Sequence, residues 1–401
     1  MRLARNFTLQ FGVLAWLMTA ATFAVAGEWS GFVSLEHQGF FHPALSPEQH
    51  RSYFSAVAQP EYYHRFEGTR DSFTFVPFGR IDQHDPERSH ADIRELTWLK
   101  VGDGLEWRLG IRKVFWGVTE SQHLVDIINQ TDLVENIDAE DKLGQPMVNF
   151  ALIRDWGTLN IFVLPGFRER TFPGIEGRLR TQPRVDTEQP SYESARKQHH
   201  VDYALRWSNS ISDWDIGLSQ FYGTSRDPRL FPGVDGNGLP VLTPRYDLIQ
   251  QTGLDVQLTE GRWLWKLEAI RRSGQGPAYS AATGGFEYTF TGAFGTAMDL
   301  GVIAEYLYDD RGSTAPTPFQ DDVMMGLRLT ANDVPSSELL IGVINDRRST
   351  ARSVNFEASR RLGSHYKLSI EARAFTGAPT TDPTFVWRRD DYLQLTLARY
   401  F

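Results

Sequence analysis

The stretch WLWKLEAIR (263–271) alternates between apolar and polar side chains from Trp265 to Ala269. Trp263, Trp265 and Leu267 occupy odd positions, and Lys266 and Glu268 occupy even positions. A period of two places successive side chains on opposite faces of a β-strand, whereas a helix needs apolar residues three and four positions apart. The stretch therefore predicts a strand with one aromatic, apolar face and one charged face.

The same alternation recurs along the chain, for example in HVDYALRW (200–207), AMDLGVIAEYLY (297–308) and YKLSIEARA (366–374). Such stretches approach the roughly 9–11 residues that a tilted strand needs to cross a bilayer. Aromatic residues make up 13% of the chain although its mean hydropathy is low. Strands with one lipid-facing and one lumen-facing side give this combination, and backbone in lipid must be fully hydrogen-bonded. The pattern predicts an all-β fold, a transmembrane antiparallel up-and-down β-barrel.

Counting the alternating stretches predicts about 18 strands, with 16 as the alternative, because bacterial barrels have even strand numbers. The predicted strands are 29–38, 55–66, 71–82, 90–101, 104–116, 147–154, 157–165, 198–208, 213–224, 247–259, 262–273, 280–291, 296–308, 320–331, 337–346, 351–362, 364–375 and 391–401.

The connections test this count, since barrels have short periplasmic turns and longer outer loops. All six long connections follow odd-numbered strands: 39–54, 117–146, 166–197, 225–246, 309–319 and 376–390. The predicted short turns follow even-numbered strands: 67–70, 101–104, 155–157, 209–213, 259–262, 292–295, 332–337 and 362–364. Both chain ends are then expected on the periplasmic side.

The N-terminal segment has the pattern of a secretory signal peptide. Arg2 and Arg5 precede a short apolar run, and Ala24-Val25-Ala26 forms a small-residue cleavage pattern. We expect a signal peptide at 1–26 and a single barrel domain at 27–401, with a retained N-terminal anchor as the alternative. The chain has no cysteine, so no disulfide can stabilise it.

The C-terminal stretch YLQLTLARYF (392–401) alternates to its end and finishes with Phe401. It resembles the last strand of bacterial outer-membrane β-barrels, which ends in an aromatic residue that the barrel-insertion machinery reads. The resemblance implies a Gram-negative outer-membrane location, with outer-membrane lipid, lipopolysaccharide and the insertion machinery as partners.

The stretch ESQHLVDIINQTD (120–132), within the predicted connection 117–146, does not alternate. Leu124, Val125, Ile127 and Ile128 have helical spacing, which predicts a short helix ending near Gln130. Three interpretations remain open. The acidic loop folds inward and constricts the pore, it caps the barrel outside, or its carboxylates bind Ca²⁺. The residues predicted for a constriction are Glu120, Asp126, Asn129, Asp132 and Glu135.

The alternate strand positions that carry polar side chains are expected to face the lumen, because charges are costly on the lipid side and acceptable inside. They predict a lumen of mixed charge. The predicted pore-lining residues are Glu106, Arg108, Arg112, Arg206, Lys266, Glu268, Arg272, Glu305, Arg328, Glu357, Arg361, Glu371 and Arg373. The arginines either form paired charges without selectivity or face the acidic loop across a constriction.

The segment RKVFWG followed by spaced Asp, Asn and Asp (Arg112–Gly117, Asp126, Asn129, Asp132) resembles a part of large porin-like outer-membrane proteins, including the DUF1302-type proteins. The resemblance covers about 25 residues. It implies a passive outer-membrane channel and names no solute.

These patterns together predict a porin-like channel for small hydrophilic solutes, without a cofactor or metal. A net charge of −9 argues against nucleic-acid binding. A Ca²⁺-loop fragment at VDGNGLP (234–240) is better explained as a turn, and His199-His200 lacks further ligands.

The alternatives are a barrel hydrolase acting on lipid or peptide, and a polysaccharide-export barrel. Asp71, His84, His90 and Asp92 are the hydrolase candidates, but no spacing identifies a nucleophile and its base. Whether the protein forms a homo-oligomer stays open.

Overall fold

A computed structural model describes residues 27–401, so the expected signal peptide at 1–26 lies outside the described residues. Eighteen strands pair antiparallel with their neighbours in chain order. The first and last strands also pair, with Phe32 opposite Tyr400, and this pairing closes the sheet into a barrel. The predicted fold class and the count of 18 strands are confirmed.

The barrel strands in chain order are β1 (Glu28–Phe40), β2 (Ser52–Arg65), β3 (Ser72–Asp82), β4 (Ala91–Val101), β5 (Leu105–Arg112), β6 (Gln145–Arg154), β7 (Gly157–Pro165), β9 (Val201–Ile211), β10 (Trp214–Thr224), β13 (Leu248–Glu260), β14 (Trp263–Ser273), β15 (Tyr279–Phe290), β16 (Asp299–Asp309), β17 (Asp321–Thr330), β18 (Glu338–Asp346), β19 (Arg352–Leu362), β20 (Tyr366–Thr376) and β21 (Tyr392–Tyr400). A separate three-stranded sheet in the connections is formed by β8 (Ser191–Tyr192), β11 (Arg229–Val234) and β12 (Pro240–Tyr246).

Helical structure among residues 27–401 is limited to four short 3₁₀ segments, which are Lys197–His199, Ala293–Gly295, Gly312–Thr314 and Pro383–Trp387. None of the helices in this described part is long and apolar enough to cross a membrane.

The two faces of the sheet differ as the alternation predicts. In β14, the side chains of Trp263, Trp265 and Leu267 are exposed on the outside, whereas Glu268 and Ile270 are buried inside. Other strands repeat the pattern, so the barrel carries an outer apolar band around a polar interior. This is the distribution of a sheet whose outer face contacts an apolar medium.

The two rims of the barrel differ in the length of their connections. The short connections are 66–71, 102–104, 155–156, 212–213, 261–262, 291–298, 331–337 and 363–365. The opposite rim carries 41–51, 83–90, 113–144, 166–200, 225–247, 274–278, 310–320, 347–351 and 377–391, and we call it the long-loop rim. The predicted alternation of long and short connections is confirmed, and both described chain ends lie at the short-turn rim.

One strand ends earlier than the sequence pattern suggested. The alternation predicts a strand over 104–116, but β5 ends at Arg112. The backbone N–H of Val114 donates to the side-chain oxygen of Asn129 at 2.8 Å rather than to a neighbouring strand. The chain therefore leaves the sheet here and enters the connection to β6.

The predicted helix in 117–146 is wrong. Residues 113–144, which we call the inner loop, contain turns and a bridge between Thr131 and Lys142 but no helix. The apolar residues at helical spacing do become buried, with Val125 and Ile128 fully enclosed against the barrel wall. Backbone N–H groups that a helix would pair internally instead donate to wall carboxylates, as described below, so tertiary contacts override the local pattern.

Gly110 in β5 provides a test of this strand packing. Its backbone has a φ of +129°, and a Cβ atom there would lie 1.9 Å from the carbonyl oxygen of Leu96 on β4. We expect Gly110→Ala to lower the free energy of unfolding by about 1–3 kcal/mol through this strain. Urea unfolding of the refolded protein measures the difference. Gly79→Ala in β3 is the matched control, because no atom lies within 4 Å of its Cβ position, and an equal loss in both variants would contradict the explanation.

Candidate functional site: the inner loop and the barrel interior

The inner loop has a first arm, residues 118–126, and a second arm, residues 135–142. The first arm binds two buried carboxylates of the wall. Glu268 on β14 accepts hydrogen bonds from the backbone N–H of Val118 at 2.7 Å, of Thr119 at 3.1 Å and of Val125 at 3.1 Å. Glu305 on β16 accepts from the N–H of Glu120 at 2.7 Å. Both carboxylates are on inward-facing residues of their strands, so this arm lies inside the barrel.

The tip of the first arm reaches the far wall. The Glu120 carboxylate lies 2.6 Å from Arg328 on β17 and 3.7 Å from Lys266 on β14. Among the eighteen barrel strands β5 is the fifth and β17 the fourteenth, so the two are nine positions apart, half the circumference. The arm therefore extends from the wall where the inner loop begins to the opposite wall.

The second arm turns toward another part of the wall. Glu135 makes a bidentate ion pair with Arg80 of β3, at 2.8 and 2.7 Å. Asp138 lies 2.9 Å from Arg373 of β20, and the Asn136 amide donates to Glu371 on the same strand at 3.0 Å. Together the two arms contact β3, β14, β16, β17 and β20.

Side chains of the inner loop join its two arms. His123 lies 2.7 Å from Glu140, and Lys142 lies 3.1 Å from Asp126. The Asn129 side chain accepts from Val114 and donates to the carbonyl oxygens of Arg112 and Leu143, both at 2.8 Å. This amide thus binds both ends of the inner loop and fixes them beside β5 and β6.

The five predicted constriction residues divide into two groups. Glu120 and Glu135 pair with Arg328 and Arg80 of the wall. The side chains of Asp126, Asn129 and Asp132 are almost completely enclosed by protein, where Asp126 pairs with Lys142 and Asp132 with Arg94. The number of acidic residues in a sequence does not reveal which ones the loop encloses.

All thirteen residues predicted to line the interior occupy inward-facing positions of their strands. Most are paired: Arg206 binds Asp255 on β13 at 2.6 and 2.7 Å. Arg272 binds Gln251 and Asp227 at 2.7 and 2.8 Å. The remaining members and partners are Glu106 with Arg108; Arg112 with Asn149; Glu357 with Asn355 and Arg373; Glu371 with Tyr392; and Arg361, exposed near the short-turn rim.

The second arm carries further acids that the sequence analysis did not assign to the site. Asp138 pairs with Arg373 of the wall, whereas Glu140 pairs with His123 of the inner loop. Burial raises the pKa of Asp138 to about 7 against the opposing charge of Arg373, and burial raises the pKa of Asp141 to about 6. The charge of the second arm therefore changes near neutral pH.

The hydrolase candidates are not brought together. Asp71 lies at the short-turn rim and accepts from the Val101 N–H, whereas His84, His90 and Asp92 lie near the opposite rim. Asp92 is ion-paired with Arg94 and Arg168 at 3.1 and 2.7 Å.

The two minor motifs also have local explanations. The 234–240 segment is the tip of the β11–β12 hairpin, where Asp235 caps the turn by accepting from Asn237 and Leu239 at 2.9 Å. Its interpretation as a turn is confirmed. His200 lies 2.7 Å from Asp202, and His199 is exposed beside it.

Comparison with solved structures finds porins. A BenF-like porin from Pseudomonas fluorescens Pf-5 aligns over 94% of this chain and 97% of that chain, at 9% identity and a TM-score of 0.55. A mutant of the Rh. blastica porin aligns over 94% and 100% of the two chains, at 11% identity and a TM-score of 0.45. No family model matches the chain, and no curated protein matches it. At such low identity the likeness to the BenF-like porin concerns the fold, and the chain is a porin-like 18-stranded barrel.

The contact that joins the two arms predicts a pH dependence. Burial disfavours the charged form of His123, but the hydrogen bonds and charges of Glu140 and Glu268 outweigh it and raise the pKa to about 10. Protonated His123 therefore stabilises the folded protein fully below the unfolded value of about 6.5, and this contribution is lost as pH rises through about 10. We expect His123→Gln to lower the free energy of unfolding by about 1–3 kcal/mol near pH 6.

Unfolding monitored by circular dichroism between about pH 6 and pH 11 measures the effect, which shrinks toward the alkaline end. His42→Gln is the control, because His42 also faces a carboxylate, Asp391 at 3.3 Å, but is half exposed. A His123→Gln effect that persists undiminished above pH 10 contradicts the role of the protonated imidazole.

Proposed function

We propose that the protein is an outer-membrane porin-like channel for passive diffusion of small hydrophilic solutes, with the inner loop as its constriction. The outward apolar band suits a bilayer, and the inward charged residues suit an aqueous path. The charges of Glu120, Arg328 and Lys266 would set the local field where solutes pass.

The observation that carries this proposal is the span of the inner loop. Its first arm pairs with Arg328 half the circumference away from β5, and its second arm pairs with Arg373. A segment held across the interior at both of its arms narrows any path through the barrel. An export barrel for polysaccharide would require a wider lumen. The hydrolase candidates are not assembled into a catalytic group within residues 27–401, so these alternatives have less support.

The proposal includes the expected location and partners. Both described chain ends lie at the short-turn rim, which supports periplasmic termini in a Gram-negative outer membrane. The barrel-insertion machinery would recognise Phe401 at the end of the last strand. The outer apolar band would contact lipid and lipopolysaccharide. A relationship to the DUF1302-type proteins rests only on the segment between Arg112 and Asp132.

Replacing residues 114–143 by a short Gly/Ser linker tests the constriction. The replacement is sterically simple, because Arg112 and Gln145 are opposite each other in the β5–β6 pair and a hairpin can join them. Removing a polypeptide segment from a pore widens its narrowest part, so we expect the conductance of single channels in planar bilayers to rise and the ion selectivity to change.

The matched control shortens a connection on the same rim, by deleting residues 235–238 from the exposed tip of the β11–β12 hairpin. Its conductance should equal that of the unaltered protein. Unchanged conductance after replacement of the inner loop would place the constriction elsewhere. Absence of conductance from the unaltered protein, its control and the replacement variant would contradict the channel function itself.

The outward band gives a second prediction. Leu267 is exposed on the outer face of β14, opposite Val256, and Gln257 is the next residue of β13 on the inward parity. We expect Leu267→Arg to destabilise the protein in phospholipid vesicles by about 2–4 kcal/mol if the site is near the bilayer midplane. Gln257→Arg at the same depth should cost about 1 kcal/mol or less, because lumen charges remain hydrated. Denaturant unfolding from vesicles compares them, and equal costs would argue against a membrane-facing outer band.

A further inference from the structure

Three connections of the long-loop rim bring two imidazoles and a carboxylate together. The rings of His50 and His84 stack with centroids 3.7 Å apart and planes 14° from parallel. The Glu176 carboxylate lies 3.9 Å from Nε2 of His50. The three side chains can each offer one ligand atom within 4.8 Å of the others. They come from 41–51, 83–90 and 166–200, so nothing in the sequence spacing reveals the cluster.

The ligand atoms of this cluster are not occupied by other strong partners. Neither imidazole ring has a hydrogen bond within residues 27–401, and their contacts are ring stacking and the nearby Glu176 carboxylate. All three side chains are partly exposed and can be reached from solvent.

A second cluster provides a contrast. His90, Asp132 and Glu135 also lie within ligand distance of one another. However, Asp132 is 2.7 Å from Arg94 and Glu135 is 2.7 Å from Arg80. Two guanidinium groups already neutralise these carboxylates and would repel a cation, so this buried cluster has a structural explanation.

The backbone around the first cluster is fixed. The Tyr53 hydroxyl accepts from the His50 N–H at 2.9 Å and donates to the Glu176 carbonyl oxygen at 2.5 Å. The His84 N–H donates to Asp82 at 3.0 Å, and the Gln49 amide donates to the Gly177 carbonyl at 2.6 Å. Tyr53 thus links two of the three ligand-bearing connections directly.

We propose that His50, His84 and Glu176 bind one Zn²⁺ ion at the long-loop rim, with water completing the coordination. Two imidazole nitrogens and one carboxylate oxygen are a ligand set that zinc accepts at about 2.0–2.2 Å, whereas Ca²⁺ and Mg²⁺ select oxygen ligands. The bound ion would cross-link the 166–200 connection to 41–51 and 83–90. This site is independent of solute passage and stands whether or not the barrel conducts.

Isothermal titration of the refolded mature chain with ZnCl₂, after dialysis against chelator, measures binding directly. We expect one site, with affinity reduced at least about tenfold by His84→Ala and by Glu176→Gln, since each removes one of three protein ligands. His199→Ala, an exposed histidine on the same rim, is the matched control and should bind normally. His90→Ala should also bind normally, which separates the two clusters.

A measurement on the unaltered protein avoids reliance on the folding of variants. Zinc X-ray absorption should show nitrogen and oxygen neighbours at about 2.0–2.2 Å with the signature of two imidazoles. Absence of zinc binding by the unaltered chain, a shell without imidazole, or a His90→Ala variant that alone abolishes binding would each overturn the site.

Discussion

Closure of the sheet is the constraint on which the rest of this structure depends. Every strand edge presents unpaired N–H and C=O groups, and an apolar medium provides no water to satisfy them. The pairing of β1 with β21 removes the last two edges, with Phe32 opposite Tyr400. Once the sheet is closed, the side-chain period of two separates an apolar outer surface from a polar interior, and the rims are left to the connections.

The polar interior in turn determines how the inner loop is held. A carboxylate enclosed by protein must be compensated, and Glu268 and Glu305 each receive several hydrogen bonds from backbone and hydroxyl groups of the inner loop. Acidic side chains of the inner loop likewise form ion pairs with Arg328, Arg373 and Arg80 of the wall. The wall and the inner loop therefore satisfy each other's buried polar and charged groups.

The strands were predictable because the period of two is a local signal that survives in most barrel strands, and the lengths of the connections checked the count. The inner loop was not predictable to the same degree. Leu124, Val125 and Ile128 have helical spacing, but the hydrogen-bond acceptors that replace the helix lie on β14 and β16, far away in sequence. Parity assigned Glu268 and Arg328 to the interior, whereas no local signal shows that Asp132 pairs with Arg94 or that His50 meets His84.

The pairing of Glu120 with Arg328 has a consequence for the order of assembly. The two residues are separated by 208 positions, and Glu268, Glu305 and Arg373 also belong to strands that are synthesised long after the inner loop. Contacts of such sequence separation carry a large loop-closure entropy and form after the local hairpins. The first arm thus lacks Glu268, Glu305 and Arg328 until the C-terminal half of the barrel exists, and its docking follows the pairing of the later strands.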